Sequence, residues 1–126
     1  MLTLAEVLSD FRAYAGHDEN SVVTVASRSA NGETPMHWMC TLGDHAAIGL
    51  LVSAGADIDA QDEAGNAPIH EACASRQWTA LSALINAGAD LSIVNRAGLT
   101  ALGVATQQGF RPCIELLSGP GVTLES

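Results

Sequence analysis

A 33-residue register runs through this chain: Gly32, Gly65 and Gly98 fall at equal intervals, and Thr34-Pro35 meets Ala67-Pro68 and then Thr100-Ala101. The match continues with Met36, Ile69 and Leu102, with Ile48, Leu81 and Ile114, and with Leu51, Leu84 and Leu117. Ala54-Gly55-Ala56-Asp57 returns as Ala87-Gly88-Ala89-Asp90. A period held over about 90 residues marks one supersecondary unit written several times, and such a unit buries its apolar face only against its neighbours. The chain is therefore expected to form a stack.

The unit has its own physical logic. Thr34 before Pro35 is a helix start: the hydroxyl accepts from an orphan backbone donor, and proline pre-sets the first helical dihedral. A short helix is expected to about Leu42, a turn at Gly43-Asp44, and a second helix from about His45 with Ile48, Leu51 and Val52 on one face. Gly55 ends that helix by taking the left-handed conformation of a C-terminal cap. Asp57 to Gly65, with acids and glycine interleaved, reads as an extended turn into the next unit. The second unit has Ala67 where the capping threonine belongs, at a cost of about 0.5–2 kcal/mol. The expected fold is an all-α solenoid of helix-turn-helix units joined by finger turns, forming a single domain. Its expected divisions are an N-terminal cap and first finger over 1–31, repeats over 32–64 and 65–97, and a third repeat with a C-terminal cap over 98–126. In the cap, Thr3 and Glu6 form a capping box, and Leu4, Val7, Leu8, Phe11 and Tyr14 make one helical face. His17 to Ser21 reads as a polar loop, and Ser118-Gly119-Pro120-Gly121 as the break that ends the stack.

These residues carry a family resemblance. Gly32-Glu33-Thr34-Pro35-Met36-His37, with Ala54-Gly55-Ala56-Asp57-Ile58-Asp59-Ala60 closing the unit, resembles an ankyrin repeat. The resemblance covers about Val22 to Ser118. The second copy keeps Pro68, His70 and Ala87-Gly88-Ala89-Asp90; the third keeps Thr100 but has Ala101 and Gly103 for the proline and histidine.

Composition narrows the function. The chain has 126 residues, 48% hydrophobic and only 4% aromatic, so its core is built from small aliphatic side chains. Fourteen acids against five bases, all arginine, give a net charge of −9, which disfavours nucleic acid and anionic membranes as partners. No apolar run reaches the ~20 residues of a membrane span, and Met1 to Asp10 lacks the basic and apolar regions of a secretory signal, so a cytoplasmic location is expected. Three widely spaced cysteines make no disulfide framework. The absence of lysine beside abundant alanine points to a GC-rich bacterial source.

Pro35 to Cys40 and Pro68 to Cys73 each contain His-x-x-Cys, which raises the possibility of four zinc ligands. In a stack, however, equivalent side chains run parallel on helices about 8–10 Å apart, whereas zinc needs four donors within about 2.0–2.3 Å of one point. The ankyrin resemblance gives His37 and His70 a different task, hydrogen bonding backbone near the finger turns, and places Cys40 and Cys73 in the core. Cys113, aligned with Ala47 and Ala80, is expected there too. No metal or cofactor is expected, and no nucleophile stands beside a base, so neither an enzyme nor a small-molecule substrate is expected.

The resemblance implies instead a protein partner held on a concave face made by the fingers and the first helices. Carried over by position, the candidate contacts are Glu33, Trp38, Thr41, Leu42, Asp59, Gln61, Glu63, Asn66, Glu71 and Arg96, with Val104 also facing outward. Trp38 is the expected anchor; Trp78, opening a second helix, is expected to pack on the convex side. Asp57 and Asp62 suit local backbone binding, while Asp59, Glu63, Glu33 and Glu71 leave an acidic face suited to a basic partner. An immunity-type inhibitor of a basic toxin and a scaffold or accessory subunit recruiting a cytoplasmic enzyme are the two readings. Because the fold is read as metal-free, chelation with EDTA is expected to leave the helical circular dichroism and melting temperature unchanged.

Overall fold

The computed structural model describes residues 3–14 and 23–118. The expected readings of His17 to Ser21 and of Gly119 to Gly121 lie outside them. Among the described residues the chain forms seven helices and no strand: α1 (Leu4–Tyr14), α2 (Pro35–Leu42), α3 (His45–Ser53), α4 (Pro68–Ala74), α5 (Trp78–Asn86), α6 (Ala101–Gln108) and α7 (Arg111–Ser118). They stack as pairs in two layers. α2, α4 and α6 pack in sequence in one layer, α3, α5 and α7 in the other, and α1 lies against α2 and α3.

The helix ends follow local chemistry. Thr34 Oγ1 accepts from His37 N at 3.4 Å and Thr100 Oγ1 from Gly103 N at 3.2 Å, while Asp44 Oδ1 caps α3 through Ala47 N at 3.1 Å. Ala67 has no such oxygen, and α4 starts without a side-chain cap. At α1, Glu6 N donates to Thr3 Oγ1 at 3.3 Å and Thr3 N to Glu6 Oε1 at 3.2 Å, which is the expected capping box. Gly43 ends α2 at φ 75°, where the backbone favours glycine; an added Cβ would also press on the Gln77 side-chain amide.

Two buried imidazoles couple each helix start to the next finger. His37 Nδ1 accepts from Thr34 N at 3.1 Å, and its Nε2 donates to the Asn66 carbonyl at 2.8 Å. His70 repeats this, accepting from Ala67 N at 3.0 Å and donating to the Leu99 carbonyl at 3.0 Å. These partners require the neutral Nε2–H form. Burial accordingly pulls the His37 pKa below its ordinary 6.5.

The fingers are joined by a second ladder. Glu63 N donates to the Asn31 carbonyl at 3.1 Å and Arg96 N to the Ala64 carbonyl at 3.0 Å. Arg28 Nη1 reaches the Gln61 carbonyl at 2.9 Å, and Gln61 Nε2 reaches the Val94 carbonyl at 3.3 Å. Within each finger one polar side chain at the same register ties the turn: Ser29 Oγ accepts from Asn31 N and Glu33 N, Asp62 Oδ1 from Ala64 N and Asn66 N, and Asn95 Oδ1 from Ala97 N and Leu99 N.

The core holds Val7, Met36, Ile48, Leu51, Ile69, Leu81 and Leu84, together with all three cysteines as free thiols. Phe11 is completely buried. Burial pushes the Cys40 thiol well above its usual range, and burial together with Cys113 pushes Cys73 up to about 12, so both are held protonated.

Val104 and Trp78 differ from expectation, and Leu102 differs from its register mates. Val104 is 8% exposed and belongs to the core, because a short side chain at this boundary register cannot reach past its neighbours as the longer Trp38 and Glu71 do. Leu102, in register with the fully covered Met36 and Ile69, is 38% exposed: α6 has α4 on one side, and no described helix follows it in that layer. Trp78 is 50% exposed rather than packed, and borders a shallow groove with His45, Thr79, Ser82, Ala83 and Asn86.

The histidine bridge carries a pH signature. A His37 pKa held below 6.5 means that the bridge stabilises fully above that pH and progressively less as pH falls toward the folded-state value. His37→Gln is expected to destabilise the fold at pH 7.5, each buried partner it orphans costing about 1–3 kcal/mol. Urea melts of wild type and variant should show this difference narrowing as pH drops below 6.5.

Candidate functional site

The face shared by the fingers and α2 and α4 concentrates negative charge. Glu33 comes from the first finger, Asp62 from the second and Glu71 from α4; each offers a carboxylate oxygen within 4.8 Å of the other two, and all three are half-buried. This is the group of three or more potential metal ligands that the described residues bring together, and it contains no histidine or cysteine. The four His-x-x-Cys residues are not gathered. The ion pair formed between described residues, Arg111 with Glu115 at 3.1 Å, lies on α7.

Local structure explains the cluster. Asp62 is held by the two backbone donors of its turn, Glu33 accepts from the Tyr14 hydroxyl at 2.9 Å, and Glu71 Oε2 accepts from Thr41 Oγ1 at 3.5 Å. The electrostatic consequence is visible in two groups. Burial, then the charges of Asp62 and Glu33, raise the Glu71 pKa above its ordinary 4.5, against the opposing Thr41 hydrogen bond. Burial, then the hydrogen bond and charge of Glu33 and the charge of Glu71, push the Tyr14 hydroxyl up to about 12.

An aromatic group adjoins the carboxylates. Tyr14 stacks on Trp38 with ring centroids 4.9 Å apart and planes at 22°, and Phe11 meets Trp38 at 6.4 Å. Trp38, expected to stand outward as an anchor, is half-buried beneath the end of α1. One turn along α2, Leu42 is 54% exposed.

The structure thus brings Glu33, Trp38, Thr41 and Glu71 together and distributes the other candidates. Asp59 Oδ1 accepts from Asp90 N at 2.9 Å, so this acid ties one unit to the next. Gln61 spends its amide on the Gly65 and Val94 carbonyls. The Asn66 carbonyl accepts from His37 Nε2, and its Oδ1 accepts from Asn95 Nδ2 at 2.9 Å. Glu63 and Arg96 are exposed, each with its backbone N–H in the finger ladder. Two members of the site had been given only other roles by the sequence: Asp62 as a turn residue and Tyr14 as part of an apolar helix face. Both assignments hold, yet each side chain also reaches the cluster.

A carboxyl whose folded-state pKa is raised favours the fold most in acid and loses that contribution as pH rises through the folded value. Glu71→Gln is therefore expected to melt above wild type at pH 7, with the gain shrinking toward pH 4.5, as scanning calorimetry across that range would show.

A family model described as ankyrin repeats (3 copies) matches residues 4–95 and, in a second alignment, 50–125. The first alignment begins inside α1, ahead of the Val22 at which the register becomes visible in residue spacing. A search of curated proteins gave no match.

Proposed function

Because the chain belongs to the ankyrin-repeat family, whose stacked units typically serve protein-protein interaction without catalysis, we propose that it is a protein-binding module that engages a basic partner through its acidic finger face. The observation that carries this reading is the convergence of Glu33, Asp62 and Glu71 from two fingers and a helix, within 4.8 Å of one another. Like charges at that separation repel in the free protein, and a cationic group from a partner offsets the repulsion on binding. Exposed Glu63 adds to the same field, which speeds encounter with a positively charged surface.

Within this reading the chain acts as a dedicated inhibitor of the immunity type, covering a basic protein such as a nuclease toxin in the cytoplasm of a bacterium. The net charge of −9 and small size support the assignment. α1 serves as the N-terminal cap, its buried Val7 and Phe11 closing the stack, with repeats over 32–64 and 65–97 and a terminal unit over 98–126. No described helix is long and apolar enough to cross a membrane. A scaffold or adaptor role is the second reading. It is favoured by one observation, the half-exposed Trp78 on α5, in the other helix layer, which offers a second apolar surface for another protein.

The two readings separate by capture from the native cytoplasm followed by kinetics. A single strongly basic protein whose activity the chain abolishes supports inhibition; several unrelated proteins, lost together in Trp78→Ser, support scaffolding. With the captured partner, Glu63→Gln combined with Glu71→Gln is expected to slow association and flatten its salt dependence, since such charges are screened over about 8 Å at physiological salt. Leu42→Ala should act chiefly on dissociation. Asp59 is unsuited to this test because it holds Asp90 N. Association that ignores the double substitution at both low and high salt would refute the acidic-face reading.

A further inference from the structure

The acidic face has a feature that charge alone does not require. Tyr14, contributed by α1, lies 46% exposed on top of Trp38, and its hydroxyl points its proton at Glu33. Phe11 and Val7, almost wholly buried on the same helix, fix α1 against the stack, so the ring is presented on a rigid support. One turn beyond Trp38 along α2, Leu42 stands 54% exposed. The surface is therefore an aromatic and aliphatic stripe, Tyr14, Trp38 and Leu42, bordered by the carboxylates of Glu33, Asp62 and Glu71.

We propose that this stripe is a subsite for an arginine of the partner, the guanidinium lying on the Tyr14 ring and pairing with Glu33 and Glu71, while an apolar neighbour of that arginine covers Leu42. The inference rests on the protein-binding reading and names the chemistry it selects. Arginine suits the site better than lysine for a physical reason. A guanidinium is planar, weakly hydrated and carries donors along its edge, so it stacks on a ring and bonds carboxylates at the same time, whereas an ammonium is a compact, strongly hydrated charge. The surroundings are complementary to it: Glu33, Asp62 and Glu71 each bring a carboxylate oxygen within 4.8 Å of the other two, so a cation there offsets their mutual repulsion. Tyr14 would then be a specificity-determining residue supplied from outside the two best-formed repeats.

The test uses the full chain labelled with nitrogen-15 and two probes, N-acetyl-arginine amide and N-acetyl-lysine amide, followed by amide and indole N–H shifts. The arginine probe should move the Trp38 indole and the amides of Tyr14, Glu33 and Glu71 in a saturable way, at least about 2-fold more tightly than lysine. Tyr14→Ser should weaken arginine binding about 2- to 5-fold and erase the preference over lysine. Should that variant loosen α1, Glu71→Gln provides a second reading in a chain whose repulsion is relieved, with weakening of about 2- to 5-fold expected. Equal, unsaturated shifts from both probes spread over all the acids would overturn the arginine subsite while leaving the acidic-face reading standing. Absence of shifts at the stripe would overturn it as well. Calcium chloride that saturates the same amides below about 1 mM and displaces the arginine probe would overturn it in favour of a cation site.

Discussion

The buried imidazole bridge is the interaction on which the stack depends. Each of His37 and His70 accepts a backbone N–H at the start of its own helix and donates to a backbone carbonyl of the following finger, His37 to Asn66 and His70 to Leu99. One side chain thus satisfies two backbone groups that would otherwise be buried unpaired, and it fixes the angle at which a finger leaves one unit and meets the next. The finger ladder and the packing of α2 on α4 and α4 on α6 link the same neighbouring units. The third unit, with Gly103 at the same register, makes no such bridge through a side chain there.

This framework also explains how a destabilising cluster is tolerated. Glu33, Asp62 and Glu71 are brought within 4.8 Å by backbone that the bridges and turn bonds hold in place, not by attraction among themselves. Burial, and after it the charges of Asp62 and Glu33, hold the Glu71 pKa above its ordinary value. Proteins concentrate such unfavourable arrangements at working surfaces, where a partner relieves what the free chain cannot. The small cost is spread over a core of Ala, Leu, Ile, Met and Cys whose closely packed side chains let helices of seven to nine residues stack tightly.

The ends of the stack behave differently from its middle. α1 supplies Val7 and Phe11 to the first pair, and its last turn overlays Trp38, so α1 also contributes to the acidic face. At the other end Leu102 keeps over a third of its surface exposed, with Leu91 and Val94 of the last described finger also exposed. Identical registers therefore have unlike environments, since burial in a repeat fold depends on having a neighbour on each side.

With the ankyrin resemblance supplying the backbone task of the two histidines and the burial of Cys40 and Cys73, the sequence by itself determined the period, the helix pairs and the all-α stack. Each of these is local or repeats with the register, so residue spacing encodes it. The site was only partly legible. Glu33, Trp38, Thr41 and Glu71 were named, yet nothing in their spacing showed that Asp62, a turn residue, would converge with two of them. Nor did it show that Tyr14, separated from the repeats by a stretch outside the register, would settle on Trp38 and bond Glu33. Asp59 likewise read as a free acid, although it binds the backbone of Asp90 in the next unit. These contacts join residues 9 to 31 positions apart that lie in different elements of the stack. Their meeting depends on the rise and turn from one unit to the next, which no single unit contains and only the assembled stack decides.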